Sequence, residues 1–407
     1  MDEVDEVDKV DEDDRRIILL PSPFTLRSSL FHFLVKNVRM KGILWRVRPC
    51  VATGPMKLMS PPSKPNEKNE STRIVTLAEL GERGWLRLVR EWFSKTADES
   101  GARIAVPIGD DAAALDLGGA RGPLIVSTDA LIEGVHFRHA WTRPHDLGAK
   151  ALAVNLSDLA AMGAKPLAAF LALGVPPETP LRALKEFFMG LREEGRAHGC
   201  PLAGGDLTRA PQWTICLTVL GTPAVAGRVA RRSTATPGQL IYVTGRPGEA
   251  GAGLEALERG VRAPALIERH NRPTPRLQEA AALSRLCPDL AMLDVSDGLW
   301  NDADQLAEAS GVAIELCLEA LPVSPAMARL GRRLGRDPLE WTLFGGEDYE
   351  LLFATRAHEE AIERAFEHAG FSTPVHLIGH VSAGRGVHLK DCDCNELEIP
   401  DRTFRHF

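Results

Sequence analysis

Six separated stretches of the sequence place carboxylates beside residues that bend the backbone or offer a hydroxyl. They are Gly109-Asp110-Asp111, Ser127-Thr128-Asp129, Ser157-Asp158, Gly204-Gly205-Asp206, Asp294-Val295-Ser296-Asp297-Gly298 and Gly345-Gly346-Glu347-Asp348. Aspartate is a hard oxygen ligand, and many aspartates with few histidines and no ordered cysteines suit magnesium rather than zinc. Carboxylates that converge repel and raise one another's pKa unless a cation sits among them. Glycines beside Asp206, Asp297 and Glu347 let backbone N–H groups approach an anion. Arg228, Arg231 and Arg232 in GRVARRS can clamp phosphates through a planar fork, or form a solvated linker. The chemistry suggested is a metal-phosphate site, with Asp158 near its centre.

Other chemistries find little support. The sequence holds no G-x-S-x-G elbow, no H-E-x-x-H pair and no protein-kinase signature. The run from Gly245 to Gly251 is neither G-x-G-x-x-G nor a Walker loop, and reads as a strand-to-helix turn. The Asp294 stretch lacks the alternating ligands and closing Glu of an EF-hand. Cys392-Asp393-Cys394 has no second pair to complete a zinc set. His136, in EGVHF, is the one histidine beside a carboxylate motif.

The elements that must position these groups follow from composition and periodicity. A chain of 407 residues with 44% hydrophobic and 25% charged residues suits two soluble globular domains. Its net charge of -7 argues against nucleic acid as the main partner. Seven cysteines without framework spacing suggest reduced thiols and a cytoplasmic setting, and no apolar run is long enough to span a membrane. Residues 1–70 differ from the rest. The first fourteen residues carry nine acids, residues 15–66 carry none but ten Lys or Arg, and a Pro/Lys/Asn/Glu-rich linker follows. They are expected to be a disordered, dispensable leader. Thr76-Leu77-Ala78-Glu79 has the form of a capping box opening a helix through about 95. Strands are expected near 103–108, 123–128, 167–173 and 213–220, with helices over 144–162 and 181–198, in a roughly βαβ order. In 144–162 the apolar residues recur at helical spacing, so Asp158 sits in a core-facing helix. A second α/β domain is expected over 226–407, with strands near 239–244, 291–294, 312–316, 349–354 and 375–378 and helices over 299–310 and 359–369.

Eight motifs occur in order: IGDDAA, STDALIEGVHF, KALAVNLSDLAAMGA, GGDLTR, GRVARRS, YVTG, DVSDGL and GGEDYEL. Together they resemble the thiamine-monophosphate kinase family, within the superfamily of aminoimidazole ribonucleotide synthetase, from about 76 to 407. The resemblance implies an α/β (α+β) fold of two domains, 71–225 and 226–407, the first binding ATP and magnesium and forming a dimer-interface sheet or barrel in a homodimer. It implies ATP-dependent conversion of thiamine monophosphate to thiamine diphosphate by direct in-line transfer. The implied metal ligands are Asp111, Ser127, Thr128, Asp129, Asp158, Asp206, Asp294 and Asp297. ATP would meet Gly205, Asp206, Arg232 and Ser296. Thiamine monophosphate would meet His136, Glu347 and Phe404, and no general base is expected. Two superfamily rivals fit less well: a selenophosphate synthetase would carry a reactive Cys in a glycine-rich N-terminal segment, and the hydrogenase-maturation branch would end in a cysteine. A non-catalytic metal- or nucleotide-binding dimer is the rival from another class.

Overall fold

The structure, a computed structural model, describes residues 103–106, 109–116 and 122–399. Residues 1–70, the helix expected over 76–95 and Phe404 lie outside the described residues.

The first sheet contains β1 (Arg103–Val106), β2 (Ala113–Asp116), β3 (Leu124–Ile132), β4 (Ala164–Val175), β5 (Leu202–Arg209) and β6 (Thr214–Pro223), in the order β1-β2-β3-β6-β4-β5. In β6 the side chains of Ile215, Leu217 and Val219 alternate inward with half-exposed neighbours, the period of a strand with one buried face. Its partners β3 and β4 both run antiparallel to it. The βαβ order expected from sequence holds for one unit here: β4 and β5 are parallel, and α2 (Leu181–His198) is the crossover that parallel pairing requires.

Helix α1 (Pro144–Ala161) lies against β3, β4 and β6 and also touches α2. Every residue in it but Pro144, His145 and Asp158 is buried, so it has no solvent face. A helix with small and apolar residues all round belongs inside a protein. Close approach to α2 depends on two glycines: a Cβ on Gly148 would lie 1.9 Å from the Phe187 carbonyl oxygen, and one on Gly190 would lie 1.8 Å from that of His145.

The second sheet contains β7 (Leu240–Thr244), β8 (Ala291–Val295), β9 (Ala313–Cys317), β10 (Glu350–Thr355), β11 (Val375–Ser382), β12 (Gly386–Lys390) and β13 (Glu396–Leu397), in the order β13-β12-β9-β11-β7-β10-β8. It is antiparallel except for the β9–β12 pair. Strands β8 and β10 are buried on both faces, matching their near-continuous apolar runs. The helices are α3 (Glu249–Glu258), α4 (Pro264–Asn271), α5 (Leu277–Leu286), α6 (Leu299–Ser310), α7 (Pro325–Leu334), α8 (Pro338–Phe344) and α9 (Glu359–Ala369). One core cluster joins the two sheets, from Ile125 and Leu217 through Leu156 to Met292 and Phe353. Helix α1 touches β8 and β10 as well as the first sheet, which sets Asp158 at the seam. Among the described residues no helix is long and apolar enough to cross a membrane.

Candidate active site

The acids predicted from sequence reach this seam from different elements. Asp158 comes from the last turn of α1, Asp294 from the end of β8, Asp129 from β3, and Asp111 and Asp297 from the loops before β2 and α6. Carboxylate oxygens of Asp111, Asp158 and Asp294 all lie within 4.8 Å of one another. Hydroxyls orient two of them: Ser127 Oγ donates to Asp158 Oδ2, and Ser157 Oγ donates to Asp294 Oδ2 at 2.5 Å. Asn155 accepts from the Asp129 backbone N–H at 3.1 Å and donates to the Ala151 carbonyl at 3.0 Å. Asn155, Ser157 and Asp158, the polar residues at the seam end of α1, are thus all engaged.

Burial first, then the neighbouring acids, pushes the Asp158 carboxyl well above the usual range. Burial likewise lifts Asp110, Asp111 and Asp294 to about 6, against the opposing pull of Arg232. Asp111 Oδ2 is buried and finds no hydrogen bond among the described residues. Arg232 Nη2 donates to Asp111 Oδ1 at 2.6 Å and Nη1 donates to Gln305 Oε1 at 2.6 Å, while Nε lies 3.5 Å from Asp110. Among the described residues several buried carboxylates face one guanidinium, and negative charge left uncompensated is costly in a dry site. An oxygen-only donor set, a buried oxygen without a partner and mutually raised pKa values fit a hard divalent cation.

A second group sits on the stretch from Glu347 to Tyr349. Lys150, fully buried in α1, places Nζ 3.1 Å from Glu347 Oε1, and His270 of α4 places Nδ1 3.1 Å from Oε2. Burial would raise the Glu347 carboxyl, but Lys150 and His270 outweigh it and hold it down to about 2. Burial and the charge of Lys150 lower the pKa of His270. Glu347 and Tyr349 have φ of 65° and 53°, a left-handed backbone that side chains other than Gly adopt at a cost. Their neighbours hold it. The N–H groups of Glu347 and Tyr349 donate to the carbonyls of Ser296 and Val295 at 2.8 Å each, and the Asp348 carboxylate accepts from the N–H groups of Gly248 and Ala250. The turn at Val295 and Ser296, the start of α3 and the backbone from Glu347 to Tyr349 are therefore one hydrogen-bonded assembly.

A cavity of about 1700 Å³ opens over both groups. Its wall includes Asp111, Thr128, Asp129, Asp158, Asp294, Ser296, Asp297 and Arg232, and also His136 and Glu347. Ser127 lies behind Asp158. The Thr128 hydroxyl donates to the Leu217 carbonyl on β6 at 3.0 Å, on the strand face opposite Ser127 and Asp129. His136 Nδ1 accepts from the Ile132 N–H at 3.0 Å, which aims its ring within the turn that follows β3. Arg228 is tied to the Ser284 carbonyl, so of the arginines in GRVARRS it is Arg232 that joins the acids. Gly205 and Asp206 do not line this cavity; they lie on β5, exposed along its length at the sheet edge.

Sequence reasoning did not single out Lys150, His270, Asp302 or Gln305, and it named Asp110 only as part of the Gly109-Asp110-Asp111 stretch. Asp302 is buried and accepts from the N–H groups of Ser296 and Asp297 at 3.1 Å each, fixing the turn that presents Asp297. Its position in the first turn of α6 was the available signal, since acids there often bind free N–H groups.

Comparison with known proteins adds the family. Residues 109–223 match the model for AIR synthase related protein, N-terminal domain, and residues 236–392 match that for the C-terminal domain. The thiamine-monophosphate kinase of Aquifex aeolicus (strain VF5) is 34% identical over 338 residues, covering 82% of this chain and 100% of the relative. That of Bacillus subtilis (strain 168) is 36% identical over 318 residues, covering 75% and 94%. A solved structure described as "AaThiL complexed with AMPPCP and TMP" superposes with a TM-score of 0.70 at 31% identity, covering 82% of this chain and 99% of that one. A hydrogenase maturation protein, HypE of E. coli, superposes with a TM-score of 0.59 at 22% identity, a likeness of fold alone, over 77% of this chain and 97% of that one.

Proposed function

This chain belongs to the thiamine-monophosphate kinase family, and on that premise we propose that it transfers the γ-phosphoryl group of ATP to the phosphate of thiamine monophosphate, giving thiamine diphosphate and ADP. The observation that carries the reading is the buried set of Asp111, Asp158 and Asp294 with Arg232 in the wall of one large cavity. Joining two phosphates brings negative charge to negative charge, so the site's task is electrostatic compensation and alignment.

Asp111, Asp129, Asp158, Asp294 and Asp297 would hold magnesium, with Ser127 and Ser157 orienting the carboxylates behind it. When bound, magnesium would neutralise phosphate charge and hold phosphate oxygens in line. Ser296, in the turn fixed by Asp302, and Arg232 would meet the nucleotide phosphates; both line the cavity. His136 and Glu347, elsewhere on the wall, would meet the acceptor. A phosphate monoester has its second pKa near 6, roughly as phosphorylated side chains do, and is largely dianionic at neutral pH. It needs no general base, unlike a hydroxyl acceptor. Transfer is then a single in-line displacement without a phosphoenzyme.

The reading includes a homodimer through the first sheet in a cytoplasmic setting. Its support is the exposed edge strand β5, whose Gly205 and Asp206 are the nucleotide and metal candidates missing from the cavity wall. Six described cysteines free of disulfides accord with a reducing compartment. The test is ADP release with magnesium and ATP against thiamine monophosphate, thiamine, an aminoimidazole precursor and selenide. ADP forms with thiamine monophosphate alone if the reading holds. Absence of ADP in every arm would leave a non-catalytic binder, and efficient turnover of free thiamine would overturn the acceptor.

A further inference from the structure

We infer that Lys150 and His270 are positioning residues which set the Glu347 carboxylate as a fixed hydrogen-bond acceptor for the amino-bearing heterocycle of the acceptor substrate. The inference rests on the proposed acceptor, thiamine monophosphate, whose pyrimidine carries an exocyclic amine.

The geometry is specific to this use. Lys150 has no solvent exposure, yet it stands among the small and apolar residues of the helix from Leu147 to Val154. Burying an ammonium is costly, and a buried pair is weak as a stabilising device compared with apolar packing of the same volume. Its Nζ lies 3.1 Å from Glu347 Oε1, and His270 Nδ1 lies 3.1 Å from Oε2. A carboxylate offers about two lone-pair sites on each oxygen. A nitrogen in ionic contact with each oxygen, though not in hydrogen-bond geometry, restrains the carboxylate electrostatically and leaves its lone-pair sites open to a donor. The Glu347 side chain keeps 23% exposure, and Glu347 and His270 both line the cavity. The backbone beneath it is locked in a left-handed conformation by the Ser296 and Val295 carbonyls. A surface-accessible acceptor held by two buried groups from separate helices, on a strained turn whose Glu347 and Tyr349 N–H groups are both bonded, is built for orientation.

The test is a split of kinetic constants in the full-length protein. Lys150→Met should raise KM for thiamine monophosphate by about 10–100-fold, the usual cost of losing an orienting partner, with KM for ATP unchanged. Lys150→Met leaves the half-buried Glu347 without its cation and risks misfolding, so Glu347→Gln and the Lys150→Met/Glu347→Gln double variant carry the comparison. The double variant buries no unpaired charge. Because Lys150 acts through Glu347, the double variant should show the same KM for thiamine monophosphate as Glu347→Gln alone. His270→Gln, which keeps a donor, should lose less than His270→Leu. Multiplied defects in the double variant, an unchanged acceptor KM in Lys150→Met, or a parallel rise in KM for ATP would overturn the inference while leaving the proposed function intact. Failure of the parent protein to turn over thiamine monophosphate would overturn the acceptor assignment and the inference with it.

Discussion

Asp158 is the residue of α1, past its first two, that escapes full burial, and it does so by facing the cavity. Its carboxyl is pushed up by burial and then by Asp129, Asp294 and Asp111. A carboxylate in that position is useful only with a cation. Asp158→Asn keeps shape and removes charge, so turnover should fall by at least about 10²-fold, the scale of losing one electrostatic stabiliser, while the thermal midpoint of the metal-free protein holds or rises. Near-parent turnover at saturating magnesium would remove Asp158 from the centre of the account. The same electrostatics set a pH dependence. Asp110, Asp111 and Asp294 titrate near 6 when folded, above their unfolded range. Between roughly pH 4 and 6 the folded state then holds more protons than the unfolded one, and metal-free stability falls as pH rises through that window. Magnesium should therefore raise the thermal midpoint more at pH 7.5 than at pH 5. An equal shift at both values would count against cation binding by these acids. The motifs made Asp111, Asp129, Asp158, Asp294 and Asp297 legible, because gathered carboxylates imply a cation whatever the fold. The resemblance groups Thr128 with Ser127 and Asp129 as a ligand, although the two-residue period of β3 turns it to the opposite face. Lys150 and His270 were not legible, since their meaning depends on a contact with Glu347 that no local pattern encodes.

At the scale of elements, α1 decides the arrangement. Its ends were readable: 144–162 by periodicity against Pro144–Ala161 observed. The second helix and those over 299–310 and 359–369 match α2, α6 and α9 in the same way. Its surroundings were not readable. A stripe pattern implies one buried face, whereas contacts with both sheets bury it all round. Strand order was also beyond the sequence. Alternation of strands and helices suggested βαβ units, but antiparallel pairing dominates both sheets, because pairing partners are set by tertiary contact rather than by order along the chain. Strands β2, β5, β12 and β13 and helices α4, α5, α7 and α8 were not anticipated, and α3 only as the far side of the strand-to-helix turn at 245–251; several are short, and periodicity is weak over so few residues. The α1–α2 contact yields a direct test. Gly148→Ala would place a Cβ 1.9 Å from the Phe187 carbonyl oxygen, and neither backbone can yield without moving a buried helix. The expected loss is about 1–3 kcal/mol or more, read as a lower thermal midpoint together with reduced turnover as Asp158 shifts. A parent-like midpoint would mean that the two helices are not so closely packed.

For the whole molecule, two sheets meet on one helix, and the acids come from both sides of that seam. The site therefore forms only when the two halves pack, which couples turnover to global folding. Residues 1–70 carry none of the eight motifs. A protein comprising residues 71–407 should keep the parent's thermal midpoint and turnover. A fall of many degrees would show that the leader contributes to the fold. The central claim is direct transfer between two phosphates. It is tested by ATP made chiral at the γ-phosphate with oxygen isotopes, incubated with magnesium, thiamine monophosphate and the protein, followed by configurational analysis of the terminal phosphate of thiamine diphosphate. One displacement predicts inversion at that phosphate. Retention, or a phosphoryl group trapped on the protein, would contradict it.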